Sequence, residues 1–192
     1  LFQNSLSFEK ASGDSEPFAH CATAGIALCS AAMDEKRFTV LDLLDLDLKE
    51  HDALELRCIC GRKGLGRVIG VPDINRPGLA LSGFFESFAY QRIQLIGRGE
   101  AAYLHLLAAE GRSDGVAKIF SFPIPCFIFA NGEPPAPMFA EAADAADCPV
   151  LLTNLSSTEL SSRLIRVLAN VFAPKTSVHG VLVEVYRSEE HT

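Results

Sequence analysis

Arg76 lies in a setting suited to gripping an anion, within Asp73-Ile74-Asn75-Arg76-Pro77-Gly78. Pro77 suits the first turn of a helix, and Asp73 can cap locally. Arg76 is then presented near the carboxyl end of a strand, the edge where ligands of open α/β sheets collect. A guanidinium there can hold a phosphate or carboxylate through two parallel hydrogen bonds. The more ordinary use of its five donors is to tie loop carbonyls together. A second basic feature is the stretch 57–67, Arg-Cys-Ile-Cys-Gly-Arg-Lys-Gly-Leu-Gly-Arg, with four basic residues and no acid. Gly-rich backbone can cradle phosphate. This stretch lacks the Gly-Lys-Ser/Thr ending of a P-loop, and a solvated turn between strands is its commoner meaning. The loop Gly132-Glu133-Pro134-Pro135-Ala136-Pro137 reads as a stiff connection that starts an acidic helix.

His179, in Lys175-Thr176-Ser177-Val178-His179-Gly180, falls between a helix stop and a strand. An imidazole with an unperturbed pKa of about 6.5 can change charge near neutrality, although a lone histidine is usually structural or solvated. His51, His105 and His191 have helical or terminal contexts, and His20 lies in an unpatterned leader. No serine–histidine–acid set, metal-spaced cluster or pair of carboxylates can be assigned.

The elements that must position these residues come from a chain of 192 residues, enough for one substantial domain. At this size roughly 70% of the unfolded surface can be buried. The chain is 48% hydrophobic and 21% charged, which excludes disorder for most of it and excludes collagen-like or coiled-coil structure. A formal charge of −7 argues against a dedicated nucleic-acid binder. No apolar run reaches the ~20 residues a bilayer requires, and no basic leader precedes the apolar stretch 24–32. The expected setting is cytoplasmic and soluble, with the six cysteines as free thiols. Cys58 and Cys60 are too close for a redox or zinc pair, and strand alternation places both on one face.

Residues 1–32 show no period and read as a disordered or non-native leader, with Met33 a plausible start. Thr39 and Asp42 form a capping-box pattern, and Leu41, Leu44 and Leu48 keep helical spacing in a helix over about 40–50. Strands are expected at 68–71, 93–96, 126–130, 150–152 and 181–186. Helices are expected at 101–110, 116–122 and 138–147. A further helix runs from a Ser156 or Ser157 cap to about Phe172, with Leu160, Leu164, Ile165 and Leu168 on one face, and Pro174 ends it. The alternation predicts an α/β fold, a mostly parallel sheet flanked by helices.

Five segments together resemble the HPr kinase/phosphorylase family: Asp73-Ile-Asn-Arg-Pro-Gly-Leu-Ala-Leu-Ser-Gly-Phe-Phe85, Gln91-Arg-Ile-Gln-Leu-Ile-Gly97, Phe122-Pro-Ile-Pro-Cys126, Ser161-Ser-Arg-Leu164 and Ala173-Pro-Lys-Thr-Ser-Val-His-Gly-Val-Leu-Val-Glu-Val-Tyr186. They run in the family's order from about Phe38 to Tyr186. The resemblance implies an amino-terminal α/β domain similar to the front domain of the Mur ligase MurF, followed in the family by a P-loop kinase domain. It implies phosphorylation of a serine on HPr, the small phosphocarrier of the sugar phosphotransferase system, with ATP or pyrophosphate and magnesium, and the reverse phosphorolysis. It also implies a homo-hexamer, and it matches His179 to a histidine of the family's active site.

The resemblance divides the chain into a leader at 1–32, the amino-terminal domain at 33–173, and a linker with the first strand of a kinase domain at 174–186. Residues 187–192 read as a non-native tail, because Arg-Ser-Glu-Glu-His-Thr resembles one reading frame of a common sequencing adapter. No phosphate loop or catalytic base follows the strand, so no nucleotide or metal is expected here and the polypeptide alone is expected to be inactive. The runner-up reading is a stand-alone binding module that uses Arg76 and residues 57–67 for an anionic ligand such as a nucleotide-sugar or sugar phosphate.

Overall fold

The computed structural model describes residues 37–51 and 53–174, all within the compact unit Lys36–Thr192. The expected leader, the strand at 181–186, the tail and His179 lie outside the described residues.

The first element shows how a correct boundary can carry the wrong face. Helix α1 spans Val40–Lys49, and Thr39 caps it: its hydroxyl accepts the Asp42 amide at 3.2 Å while the Asp42 carboxylate accepts the Thr39 amide at 2.9 Å. The buried stripe is Val40, Leu43 and Asp47, whereas Leu41 and Leu48 are exposed. Backbone pairing before the helix accounts for this rotation. Val40 donates to the Arg67 carbonyl and Ile69 donates to the Phe38 carbonyl, and this strap fixes which way the helix faces. The same strap overturns the strand expected at 68–71, since Val68 forms only an isolated bridge to Thr39. Pro72, which has no N–H to give a ladder, comes next, and pairing with the sheet begins only at Ile74. Asp47 is buried because its carboxylate accepts the amides of Leu54 at 2.6 Å and Leu56 at 2.8 Å, pinning the turn into the first strand.

The five strands are β1 (Arg57–Cys60), β2 (Ile74–Asn75), β3 (Ile93–Ile96), β4 (Phe127–Phe129) and β5 (Val150–Leu152), in the order β1-β5-β4-β3-β2. Strands β2 to β5 are parallel, and β1 lies antiparallel on the outer edge of β5. The sheet is therefore mixed but mostly parallel. The remaining helices are α2 (Gly78–Leu81), α3 (Arg98–Ala109), α4 (Asp114–Ile119), α5 (Pro137–Ala145) and α6 (Ser157–Phe172), with a short 3-10 turn at Arg62–Gly66.

Strand alternation divides the core between the two faces of the sheet, both covered as parallel strands require. Leu95, Ile128 and Leu151 pack with Val40 and Leu43 of α1 and with Leu160, Leu164 and Leu168 of α6. Ile96, Phe127, Phe129 and Val150 pack on the other face with α2, α3, α4 and α5, where Phe139 meets Phe127 and Phe129 edge to face. On α6 the expected stripe is correct except for Ile165, which is exposed, while Val167 is buried in its place. Ser156 caps that helix through the Glu159 amide at 3.2 Å.

Cys58 and Cys60 do not share a face. Cys58 pairs with Leu151 and Cys60 with Val150, so one extra residue bulges the strand and turns Cys60 to the opposite side. Cys58 packs with the α1/α6 core and Cys60 with the α3/α5 core.

Candidate functional site

Four parallel strands end at one edge of the sheet, and the segments leaving that edge build a cleft. After β2 comes Arg76, after β3 the run Gly97-Arg98-Gly99-Glu100 that begins α3, after β4 Asn131, and beyond β5 Ser157 at the start of α6. Helices α3 and α6 leave this edge on opposite faces of the sheet, and that divergence opens a crevice between their amino termini. Arg76, Gly97, Arg98, Asn131 and Ser157 line a cleft of about 610 Å³, with Glu100 and Tyr103 on its wall.

Gly97 is the point of convergence. A Cβ added there would lie 3.1 Å from Glu100 Oε2, 3.5 Å from Arg76 Nη2 and 3.6 Å from Ser157 Oγ. Glycine leaves that space open and also supplies no side-chain cap, so Gly97 differs from Thr39 and Ser156 at the starts of α1 and α6. Glu100 accepts the Gly97 amide at 3.1 Å. The first-turn amides beyond it have no intrahelical acceptor and carry the positive end of the helix dipole.

Asp73 does not compete for Arg76. Its carboxylate accepts the Ile74 amide at 2.8 Å and pairs with Arg92 at 2.9 Å. Among the described residues Arg76 makes no hydrogen bond or ion pair and is exposed to solvent. The arrangement therefore offers two guanidinium groups and a helix amino terminus against a single carboxylate, a geometry that attracts anions.

The basic stretch 57–67 lies elsewhere. Because β1 runs antiparallel to β5, Cys60 and the 3-10 turn emerge at the opposite end of the sheet, and β1 and β2 are its two outer strands. The anionic-ligand reading that combined these residues with Arg76 in one site is corrected by this placement. Here the Gly61 amide and the Arg67 guanidinium are consumed internally. Gly61 donates to Asp144 Oδ1 at 2.5 Å, and Arg67 donates to the carbonyls of Ile124 at 2.5 Å and Ala146 at 2.8 Å. Arg62 and Lys63 face a smaller hollow of about 320 Å³ that they share with Asp144 and Asp147.

His51 and His105 are exposed on the surface. The Gly132–Pro137 segment is a connection, with Pro137 in the first turn of α5. Burial raises all four described thiols above their ordinary range, Cys60 to about 11 and Cys148 to about 12. Such thiols remain protonated and unreactive near neutrality. Among the described residues no group of His, Cys, Asp or Glu could hold a metal ion, and no helix is long and apolar enough to cross a membrane.

Residues 44–168 match the family model described as "HPr Serine kinase N terminus". The chain belongs to that family. It is 56% identical over 144 residues to the HPr kinase/phosphorylase of Treponema pallidum (strain Nichols), covering 75% of this chain and 45% of that protein. The HPr kinase/phosphorylase of Leptospira biflexa is 39% identical over 139 residues, 72% of this chain and 43% of the relative. That of Shouchella clausii is 40% identical over 141 residues, covering 73% and 44%. The chain thus spans less than half the length of these relatives. Arg76, Gly97, Asn131 and Ser157 all lie inside the region matched to the HPr kinase amino-terminal family, and His179 lies beyond it.

Reasoning from sequence singles out Arg76, passes over Arg98 and Asn131, and reads Ser157 only as a candidate helix cap. The Gly-Arg-Gly-Glu run directly after Ile93–Ile96 is the available signal, since glycines between a strand and a helix leave room for a ligand against backbone.

Proposed function

We propose that this chain supplies the amino-terminal domain of a bifunctional HPr kinase/phosphorylase. The observation that carries this reading is the long match to the Treponema pallidum relative. In the complete protein, the phosphoryl group of ATP or pyrophosphate passes with magnesium to a serine of HPr, and phosphorolysis reverses the step. That chemistry belongs to a P-loop domain, because phosphoryl transfer relies on such a loop and its metal for positioning and charge. The 192 residues contain no Gly-rich loop ending in Gly-Lys-Ser/Thr. Incubated alone with HPr, ATP and magnesium, this polypeptide is expected to form no phospho-HPr.

The amino-terminal domain then regulates and assembles the enzyme, a cytoplasmic homo-hexamer. In support of assembly, Leu79 and Phe84 are large, exposed and adjacent, beside the two-residue outer strand β2. His179 stabilises charge or relays a proton beside the phosphoryl groups. His179→Ala in the complete protein should slow both directions, and unchanged rates would remove that role.

A chimera tests the main reading. Residues 38–173 replace the corresponding part of the Treponema pallidum protein, and both phosphorylation of HPr and phosphorolysis should survive. A folded chimera without either activity would refute the proposal.

A further inference from the structure

We infer that the cleft at the carboxyl edge of β2, β3 and β4 binds a phosphorylated small molecule, its phosphate held between the first turn of α3 and the Arg76 guanidinium. This ligand belongs to the domain itself and does not depend on the phosphotransfer reading.

Three observations meet at one place. The first is the arginine. Arg76 stands at the end of a parallel strand with no hydrogen bond or ion pair among the described residues, and the nearby Asp73 is engaged by Arg92. An arginine whose five donors are left to solvent at a ligand-binding edge is placed for a two-bond contact to a phosphate. The second is the glycine at the start of α3. Gly97 leaves the first-turn amides without a side-chain cap. Arg76 Nη2 and Ser157 Oγ close on the space of its missing Cβ at 3.5 and 3.6 Å, with Glu100 Oε2, held by the Gly97 amide, at 3.1 Å. Guanidinium, hydroxyl and first-turn amides thus flank a space that a side chain would narrow, and the Glu100 carboxylate closes one side of it. The third is the cleft itself. At about 610 Å³ it far exceeds a bare phosphate and falls in the range of small-molecule sites.

The remaining walls narrow the ligand class. Asn131, Tyr103 and Ser157 offer neutral hydrogen-bonding groups, and Glu100 offers a carboxylate whose Oε2 also accepts the Gly97 amide. This lining suits a hydroxyl-rich body, whose O–H groups donate to Glu100 and Asn131. The single Glu100 carboxylate disfavours a ligand with a second anionic group. A sugar monophosphate satisfies both ends of the cleft.

The test is calorimetric titration of the full chain with glucose 6-phosphate, inorganic phosphate and glucose, paired with amide NMR shifts. Glucose 6-phosphate should bind more tightly than inorganic phosphate, glucose should not bind, and the shifts should centre on Gly97 to Glu100. Arg76→Ala should weaken glucose 6-phosphate at least about tenfold, the scale of a charge-assisted contact. Gly97→Ala, which sets a methyl group between Arg76 and Ser157, should weaken it comparably. Arg62→Ala, at the other end of the sheet, should leave binding unchanged. The inference is overturned if neither phosphate compound binds at millimolar concentration. It is equally overturned if binding survives both Arg76→Ala and Gly97→Ala in folded protein.

Discussion

The two ends of the sheet use the same residue types for opposite purposes. At the end where β1 turns back, Arg67 is spent on two carbonyls, and Gly61 and Gly64 pack on the backbone of 147–149. At the end where the parallel strands finish, Arg76 and Arg98 face an open cleft, and Gly97 keeps space free rather than filling it. The carbonyl-tying use weighed for Arg76 is not what Arg76 shows, since it makes no such bond among the described residues, whereas Arg67 ties two carbonyls. What separates them is the direction of the strand each one follows. Parallel strands send their loops and the amino termini of the next helices to one edge, and an antiparallel edge strand sends its loop to the other.

The largest effect expected from this contrast is at glycine. A Cβ at Gly64 would overlap the Asp147 carbonyl oxygen, which is backbone and cannot swing aside, whereas at Gly97 the closest atom is the end of the flexible Glu100 side chain. Gly64→Ala should destabilise the protein by more than about 3 kcal/mol in urea unfolding, and Gly97→Ala by less than about 1 kcal/mol. Comparable losses would show that the open edge is as tightly packed as the closed one.

The arginines come next. Arg67→Ala strands two inward-facing carbonyls and should cost about 2 kcal/mol. Arg76→Ala, a surface change, should stay within about 0.5 kcal/mol.

The smallest expected effect is a pH dependence set at the closed edge. Cys60 and Cys148 lie against the 3-10 turn, with pKa values raised by burial to about 11 and about 12. The unfolded chain loses those protons first, near the ordinary thiol value of about 8.5. Their contribution to stability is therefore complete below about pH 8.5 and lost as the pH rises through about 11. Urea midpoints measured from about pH 8 to about pH 11 should fall. The fall should be smaller in Cys60→Ala, measured against its own midpoint at the lower pH.

Much of this architecture is legible in the sequence because it rests on local chemistry. The Thr39 capping box, the Ser156 cap and the apolar runs at 93–96, 126–130 and 150–152 coincide with the observed elements to within a few residues. What escapes depends on contacts distant in the chain. The rotation of α1 is set by pairing with residues 67–69, and the burial of Asp47 by amides seven and nine residues away. The bulge that separates Cys58 from Cys60 exists only against β5. At the site, Arg76 is visible because Pro77 and Gly78 announce a turn after it. Asn131 and Ser157 become part of the site only through strand order, which no local pattern in the chain encodes.

The most direct test takes the two arginine variants side by side, each measured for urea stability and for glucose 6-phosphate binding. The account predicts that Arg67→Ala loses about 2 kcal/mol yet retains the ligand. It predicts that Arg76→Ala unfolds like the unaltered protein yet loses at least about tenfold in affinity. A stability loss in Arg76→Ala equal to that of Arg67→Ala, with glucose 6-phosphate still bound, would contradict it.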